Sequence, residues 1–164
     1  MSAAQDTAPD LRHEDQRALY AYWQARRDGD RLPARADIDP SDLRHLLPRL
    51  ALIDVLREDA GLAFRYRLTG TEIVNRAGRD PTGKRFDELY QGEYLQTANE
   101  TYRQVVDSGQ PHTSDRIYPL VPGREYMSYD RLLLPLARDG VTVDMVMLLI
   151  VVLEQRSIDP RWPS

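Results

Sequence analysis

The chain has 164 residues, the size of one ordinary domain with little left for a second. Hydrophobic residues make up 41% and charged residues 29%, which is enough apolar material for a folded core. The net charge of −4 argues against a general nucleic-acid binder. The absence of cysteine excludes disulfides, thiolate metal sites and cysteine nucleophiles.

The sequence has no recognisable signal peptide or membrane-spanning segment. Residues 1–10 have no basic start followed by an apolar stretch, so they do not resemble a signal peptide, and we expect a disordered leader. The longest apolar run, residues 145–153, is far shorter than the roughly 20 residues that span a bilayer. We therefore expect a cytoplasmic protein with neither a membrane nor a nucleic acid as partner.

Residues 11–48 are predicted to form an N-terminal helical cap. Apolar residues recur at helical spacing over residues 11–27, and Gly29 can end that amphipathic helix. Asp39 followed by Pro40 is the pattern of a helix N-cap with proline in the first turn. A second short helix should therefore run to about residue 47, where Pro48 ends it.

The middle of the chain predicts a hairpin followed by helices. Residues 49–57 and 62–68 are rich in leucine and β-branched residues and flank a tight turn, so they should form two antiparallel strands. Apolar spacing and closing glycines then predict a helix at residues 71–77 and a longer one at about 93–108, with short irregular helices around residues 86–90 between them.

The last third of the chain predicts three more strands, at residues 112–120, 124–136 and 141–155. Turns at residues 122–123 and 139–140 join them as consecutive hairpins. The fold class is therefore α+β, with one five-stranded antiparallel sheet and helices on one face. In the last strand the residues that point to one face of the sheet and those that point to the other are both apolar. The N-terminal amphipathic helix, or else a second subunit, must therefore cover the other face.

This order of elements resembles the PAS fold over residues 49–155, with residues 156–164 left as a tail. The resemblance rests on the segments FRYRLTG at 64–70, DPTGK at 80–84 and LLLPLA at 132–137, together with Tyr22-Trp23 and residues 37–40. These segments are similar to those of short, stand-alone bacterial PAS-like proteins. The resemblance implies a non-enzymatic sensory module that binds a small organic ligand, a signalling protein, or both.

The resemblance also bears on cofactors. A haem-binding PAS domain usually places a histidine on the longer helix, and residues 93–108 contain none. A light-sensing PAS domain of the LOV kind needs an adduct-forming cysteine, which the chain lacks. The three histidines, at positions 13, 45 and 112, do not have metal-ligand spacing. We therefore expect no haem, no flavin adduct and no metal, and a colourless protein.

Nine tyrosines against two phenylalanines suggest where a ligand would bind. Tyrosine joins an apolar body to one hydroxyl, which suits a mostly apolar cavity with a few hydrogen-bonding points. We predict such a cavity between the sheet and the central helices, with Tyr126 as a further candidate. Its predicted lining is Phe64, Tyr66, Leu68, Ile73, Phe86, Tyr94, Tyr102, Val106 and Tyr129. The alternative that these are ordinary core and rim residues stays open.

A phosphate-binding loop is a weaker interpretation of residues 78–84. The spacing up to Lys84 matches such a loop, but position 85 is arginine, where a nucleotide binder would place serine or threonine. The segment also contains a proline and opens no long helix. A turn that ends the preceding short helix explains the same residues.

An acid–base enzyme is the alternative function. Asp130 lies in a predicted strand, with Arg65, Arg67 or Arg76 as candidate partners, and a raised pKa would let it work with a tyrosine. Such enzymes occur on the ketosteroid-isomerase-like cone fold, whereas a cross-strand ion pair is the plainer explanation. The cone fold places its long helices first. Here two strands precede the central helices, so we favour the sensory module and assign no catalytic residue.

The N-terminal helix also suggests an assembly. Flanking helices of PAS proteins commonly pack on the sheet and meet a symmetry mate. We therefore predict a homodimer in which Leu19, Tyr22 and Trp23 lie at or next to the interface. An exposed second sheet face would otherwise leave several large apolar side chains in water.

Overall fold

The structure, a computed structural model, describes residues 9–121 and 125–156. Five strands form one antiparallel sheet in the order β2-β1-β5-β4-β3. The strands are β1 (Leu50–Glu58), β2 (Gly61–Thr69), β3 (His112–Val121), β4 (Glu125–Leu136) and β5 (Met145–Arg156). The predicted fold class is confirmed. Most of the predicted leader and tail, and the turn at residues 122–123, lie outside the described residues.

The helices lie on the two sides of this sheet. They are α1 (Glu14–Ala25), α2 (Thr71–Ala77), α3 (Phe86–Leu89) and α4 (Gly92–Ser108). Between α1 and β1 the chain forms three 3-10 turns, at Arg35–Asp37, Pro40–Leu43 and Leu47–Arg49. We call the sheet face under α2, α3 and α4 the inner face, and the face under α1 and the 3-10 turns the outer face.

The central strand β5 supplies both faces with buried apolar side chains. Leu148 and Ile150 point to the inner face, where they line a cavity with Ile73 of α2. Met147 points to the outer face, beside Ile38 of the 3-10 segment. All five are buried. The apolar side chains of β5 on each face of the sheet therefore need a layer of structure over them, as the sequence of this strand indicates.

Helix α1 provides part of the outer cover and is anchored by one buried tryptophan. The Trp23 indole Nε1 donates a hydrogen bond to the backbone oxygen of Pro135 in β4, 2.9 Å away. Leu19 and Trp23 are 0% exposed within the single chain. Tryptophan satisfies its one polar group here and buries the rest, so α1 is part of the core.

Two boundaries differ from the sequence prediction. The helix expected after Asp39 is instead two 3-10 turns, Pro40–Leu43 and Leu47–Arg49, and the second contains Pro48, which has no N–H to donate. Strand β5 begins at Met145 and not at residue 141. The Asp139 carboxylate accepts hydrogen bonds from the backbone N–H groups of Val141 and Thr142, which holds those residues in a turn.

A β-bulge changes the face of one predicted site residue. Leu52 pairs with Leu68 whereas Ile53 pairs with Tyr66, so Arg67 is an extra residue in β2. Tyr66 therefore points to the inner face, and Leu68 points to the outer face, where it is 52% exposed. The prediction that Leu68 lines the inner cavity together with Phe64 and Tyr66 is wrong, because the strict alternation of side chains stops at the bulge.

Gly70, where β2 ends, offers a test of this architecture. Its N–H donates to the backbone oxygen of Leu50, 2.7 Å away, and a Cβ there would lie 2.3 Å from the backbone oxygen of Leu47 and 2.4 Å from that of Pro48. We expect Gly70→Ala to lower the free energy of unfolding by about 3 kcal/mol, the upper range for overpacking, because the clash is with backbone.

Chemical denaturation measures this change. Thr71→Ala is the matched control, since Thr71 is exposed, and it should stay within about 0.5 kcal/mol of the unchanged protein. Equal free energies of unfolding for Gly70→Ala and Thr71→Ala would show that the backbone of Leu47 and Pro48 does not pack closely against Gly70.

Candidate functional site

The inner face holds a cavity of about 50 Å³ between the sheet and helices α2 to α4. Four tyrosines from β2, β4 and the α3–α4 region surround it, with aliphatic side chains from α2 and β5. The lining residues are Tyr66, Ile73, Ala77, Arg79, Pro81, Tyr90, Tyr94, Tyr129, Leu148 and Ile150. Space of this size holds a few water molecules, whereas ligand pockets for drug-sized molecules are several hundred Å³.

The four tyrosine hydroxyls around the cavity are joined in two pairs. The hydroxyl oxygens of Tyr66 and Tyr90 are 2.6 Å apart, and those of Tyr94 and Tyr129 are 3.0 Å apart. In each pair one hydroxyl donates and the other accepts. The pairs are therefore polar points in a mostly apolar lining that also includes Arg79.

Two arginines of the inner face lie beside these tyrosines. The Arg116 guanidinium lies 4.1 Å from the centroid of the Tyr94 ring and donates from Nη2 to the backbone oxygen of Tyr94. Its Nε is buried and has no hydrogen-bond acceptor among the described residues. Arg131 is 4% exposed, donates from Nε to the Ser114 hydroxyl and lies 6.0 Å from the centroid of the Tyr102 ring.

The neighbourhood thus combines buried cations with neutral phenols. In the described part of the chain neither Arg116 nor Arg131 forms an ion pair with a carboxylate. A buried donor without an acceptor destabilises a fold by about 1–3 kcal/mol. A molecule bearing an acceptor oxygen, placed beside Tyr94, would satisfy Arg116.

Burial keeps the tyrosines of this site protonated. It is the main cause that raises the pKa of Tyr66, Tyr94 and Tyr102 above the ordinary phenol value. The neighbouring tyrosines raise the pKa of Tyr66 further, whereas the Arg131 charge opposes the shift of Tyr102. At neutral pH these groups act as hydrogen-bond donors and acceptors and not as bases.

An aromatic cluster closes one side of the site. Phe64 of β2, Phe86 of α3 and Tyr102 of α4 are almost fully buried, and their ring centroids lie 5.0 to 5.7 Å apart. Offset and edge-on contacts at these distances are favourable for aromatic rings. The cluster therefore fixes α3 and α4 against the sheet.

The structure gathers most of the predicted ligand-site residues on the inner face. Four line the cavity itself: Tyr66, Ile73, Tyr94 and Tyr129. The aromatic cluster contains three more, and Val106 is half-buried against the same core. Leu68 lies on the outer face, and the side chain of Tyr126 is outside the described residues.

Sequence reasoning missed Tyr90 and Arg116. Phe86, Tyr90 and Tyr94 are spaced four residues apart, a helical signal, but the chain between α3 and α4 interrupts the helix that this spacing would need. Arg116 alternates with exposed residues on β3, so its sequence context resembles an ordinary solvated edge strand.

The three predicted interface residues differ in how deeply they are buried. Leu19 and Trp23 are completely buried within the chain, so neither side chain is available to a second copy. Tyr22 is half-buried, and its hydroxyl donates to the Asp42 carboxylate and accepts from the Asp39 backbone N–H. These two bonds tie α1 to the 3-10 segment. The homodimer itself stays a prediction.

Asp130 has a different partner from those expected. His13 Nε2 and the Asp130 carboxylate are 2.7 Å apart on the outer face, where Asp130 is 7% exposed. Arg65 pairs with Asp54, so the predicted arginine partner is wrong. Tyr129 precedes Asp130 in β4 and faces the opposite side of the sheet, because neighbouring residues of a strand alternate. Asp130 therefore cannot pair with the tyrosines that line the inner cavity.

The loop at residues 78–84 has its amides engaged. Gly83 N–H donates to the Tyr66 backbone oxygen, Thr82 N–H to the Asp80 carboxylate and Lys84 N–H to the Pro81 backbone oxygen. Tyr66 N–H in turn donates to the Lys84 backbone oxygen. The loop thus covers the edge of β2, and amides held in this way are not directed at a phosphate.

Two further observations concern metals and membranes. Among residues 9–121 and 125–156, no group of three or more histidine or carboxylate side chains is arranged to hold a metal ion. Within the same residues, no helix has the length and apolar character needed to cross a bilayer.

A five-stranded antiparallel sheet with helices α2 to α4 packed on one face defines the class of PAS-like domains. A family model described as "PAS domain" matches residues 11–150. The chain therefore belongs to the PAS domain family. No curated protein matches its sequence.

The chain is similar to several solved structures at low sequence identity. The Rhodobacter sphaeroides LOV protein is 16% identical with a TM-score of 0.50, over 73% of this chain and 69% of that chain. A fungal LOV domain photoreceptor is 11% identical with a TM-score of 0.46, over 73% and 94%. The PAS domain of an HTR-like protein from Haloarcula marismortui is 21% identical with a TM-score of 0.42, over 70% and 91%.

The raised phenol pKa values predict alkaline destabilisation. Folding raises the pKa of Tyr66, Tyr94 and Tyr102 above 10, so the unfolded chain loses these protons first as the pH rises. The associated stabilisation is complete below pH 10 and is lost as the pH rises above it. We expect the free energy of unfolding to fall in this range, and less steeply for Tyr66→Phe.

The ultraviolet absorbance of tyrosinate gives a direct check. Part of the absorbance change should appear at higher pH in the folded protein than in the chain unfolded by denaturant. Superimposable titration curves would contradict the burial of these phenols.

Proposed function

We propose that the protein is a PAS-type sensory module that takes up a small organic molecule with a carboxylate or carbonyl group at the tyrosine-lined cavity. The observation that carries the proposal is the Arg116 guanidinium, which lies 4.1 Å from the centroid of the Tyr94 ring and has a buried Nε without an acceptor among the residues that the structure describes. An acceptor oxygen that reached both this Nε and the Tyr94–Tyr129 hydroxyl pair would receive hydrogen bonds from a guanidinium and a phenol. Hydrogen bonds to charged donors are among the stronger ones in proteins.

The volume of the cavity sets the size of the ligand. About 50 Å³ suits a molecule of a few heavy atoms, and anything larger needs side chains to move. Tyr90 lies just before α4 and Tyr94 lies in its first turn, and both side chains are half-buried. We propose that these two rings move to enlarge the cavity, because they are the lining tyrosines nearest to solvent. Opening at this point would displace α3 and the start of α4, and a displacement of those elements is the signal we propose.

The signal would leave the protein through contacts with another protein. A second copy of the chain is one such partner, and the half-buried Tyr22 is the interface residue that keeps some exposed surface. We propose no enzymatic activity. The acid–base alternative is disfavoured because Asp130 lies on the outer face, paired with His13, away from the tyrosines that line the cavity.

Native mass spectrometry of the purified protein tests the proposal. We expect a bound species of low mass, and we expect Tyr94→Phe and Arg116→Gln each to reduce its occupancy severalfold while the protein stays folded. The loss of one hydrogen bond to a charged group weakens binding by roughly ten- to a hundredfold. Tyr22→Phe is the matched control, because it also removes a bonded hydroxyl but on the opposite face.

Three results would count against the proposal. The first is a protein that carries no small molecule and is stabilised by none of a panel of small organic acids in thermal denaturation. The second is equal ligand occupancy in Tyr94→Phe and the unchanged protein. The third is an equal loss of ligand occupancy in Tyr94→Phe and Tyr22→Phe. The last result would mean that fold stability and not contact controls occupancy.

A further inference from the structure

A second cavity of about 370 Å³ lies on the outer face, away from the tyrosines. It is a cleft between the 3-10 segment and the starting end of β1, open to solvent on one side. We call it the outer cleft, and its walls include Ile38, Leu43, Leu50, Leu52, Leu68 and Met147. Its volume is within the range of small-molecule sites, and it is several times larger than the inner cavity.

The walls of the outer cleft are held in place on both sides. Gly70 presses directly against the backbone of Leu47 and Pro48, which closes the cleft where β2 ends. On the other side, Tyr22 bonds to Asp39 and Asp42, which fixes the 3-10 turns over the sheet. Because these walls are already ordered, binding a ligand here would cost less conformational entropy of the protein than binding in a groove whose walls must first be ordered.

The charges at the cleft have one sign. The charged residues in its lining are Arg35 and Arg44, with no carboxylate among them. In the described part of the chain neither guanidinium pairs with a carboxylate, and Arg44 is exposed. The protein as a whole has a net charge of −4. Arginines without acidic partners beside an apolar cleft complement a ligand with a negative head and an apolar tail.

Beyond Arg35 the outer cleft meets a neighbouring cleft of about 540 Å³, with which it shares Arg35, Leu52 and Leu68. The neighbouring cleft is more polar, since its lining also includes Arg67, Arg138 and Asp144. The two together form an elongated groove, and Leu68 at their junction is 52% exposed. An extended chain fits such a groove better than a compact molecule does, because it can follow both halves.

We propose that the outer cleft binds a free fatty acid, with the aliphatic chain along Leu52, Leu68 and Met147 and the carboxylate at Arg44 and Arg35. Burial of methylene groups supplies most of the affinity, and the arginines select the charged head. The site is on the opposite face from the proposed sensory cavity and does not depend on it.

Calorimetric titration of the full chain with decanoate, below its micelle concentration, tests the proposal. We expect saturable binding of one decanoate per chain. Leu68→Glu should weaken it by about tenfold or more, since a carboxylate then lies in the apolar groove. Ile117→Glu is the matched control, because Ile117 is also an exposed apolar strand residue, at 66% exposure, but lies on β3 away from the cleft.

The head group has its own test. The unchanged protein should bind decanoate more tightly than 1-decanol, and Arg44→Ala should reduce that preference by about two- to fivefold, the range of an exposed ion pair. Arg103→Ala, at an exposed position of α4, should leave it unchanged. The methyl NMR signal of Met147, assigned with Met147→Leu, should shift on addition of decanoate.

Several outcomes would overturn the proposal. They are the absence of saturable decanoate binding, equal binding by Leu68→Glu and the unchanged protein, or an equal preference for decanoate in Arg44→Ala. Binding to phosphatidylglycerol vesicles without binding of free decanoate would assign the cleft to a lipid surface. Loss of an oligomer in Leu68→Glu, without decanoate binding by the unchanged protein, would assign it to a second copy of the chain.

Discussion

The apolar character of β5 on both faces is the constraint on which the other elements depend. Its buried side chains require a layer of structure on each side, and the chain supplies the two layers from different regions. Helices α2 to α4 come from the insertion between β2 and β3, whereas α1 and the 3-10 turns come from the segment before β1. The Trp23 bond to Pro135 then joins the earlier segment to the sheet at a strand position where proline offers an oxygen but no N–H.

The two layers differ in the way they fill space. Rings dominate the inner layer, and its tyrosine hydroxyls satisfy one another in pairs, as Tyr66 and Tyr90 do. Short 3-10 turns make up much of the outer layer, and such turns cannot pack side chains as closely as a continuous helix. The inner face therefore encloses a small space with a few polar points, while the outer face leaves a large apolar one.

Much of the fold could be read from the sequence because its signals are local. Hairpin turns, closing glycines and apolar periodicity gave the order of the elements and most of the inner-face residues. The position of Leu68 could not be predicted, since a β-bulge depends on the register with β1, which is set by tertiary pairing. Nor could the partner of Asp130, because His13 is 117 residues away along the chain.

The bulge at Arg67 places the two cavities on either side of one short piece of backbone. Tyr66 forms a wall of the inner cavity, and Leu68 forms a wall of the outer cleft. If both proposed sites are occupied, a molecule that shifts β2 at Tyr66 would also change the shape of the outer cleft at Leu68. Thermodynamic linkage would make that effect reciprocal, although each site binds on its own contacts. The bulge would then couple the two faces through the sheet.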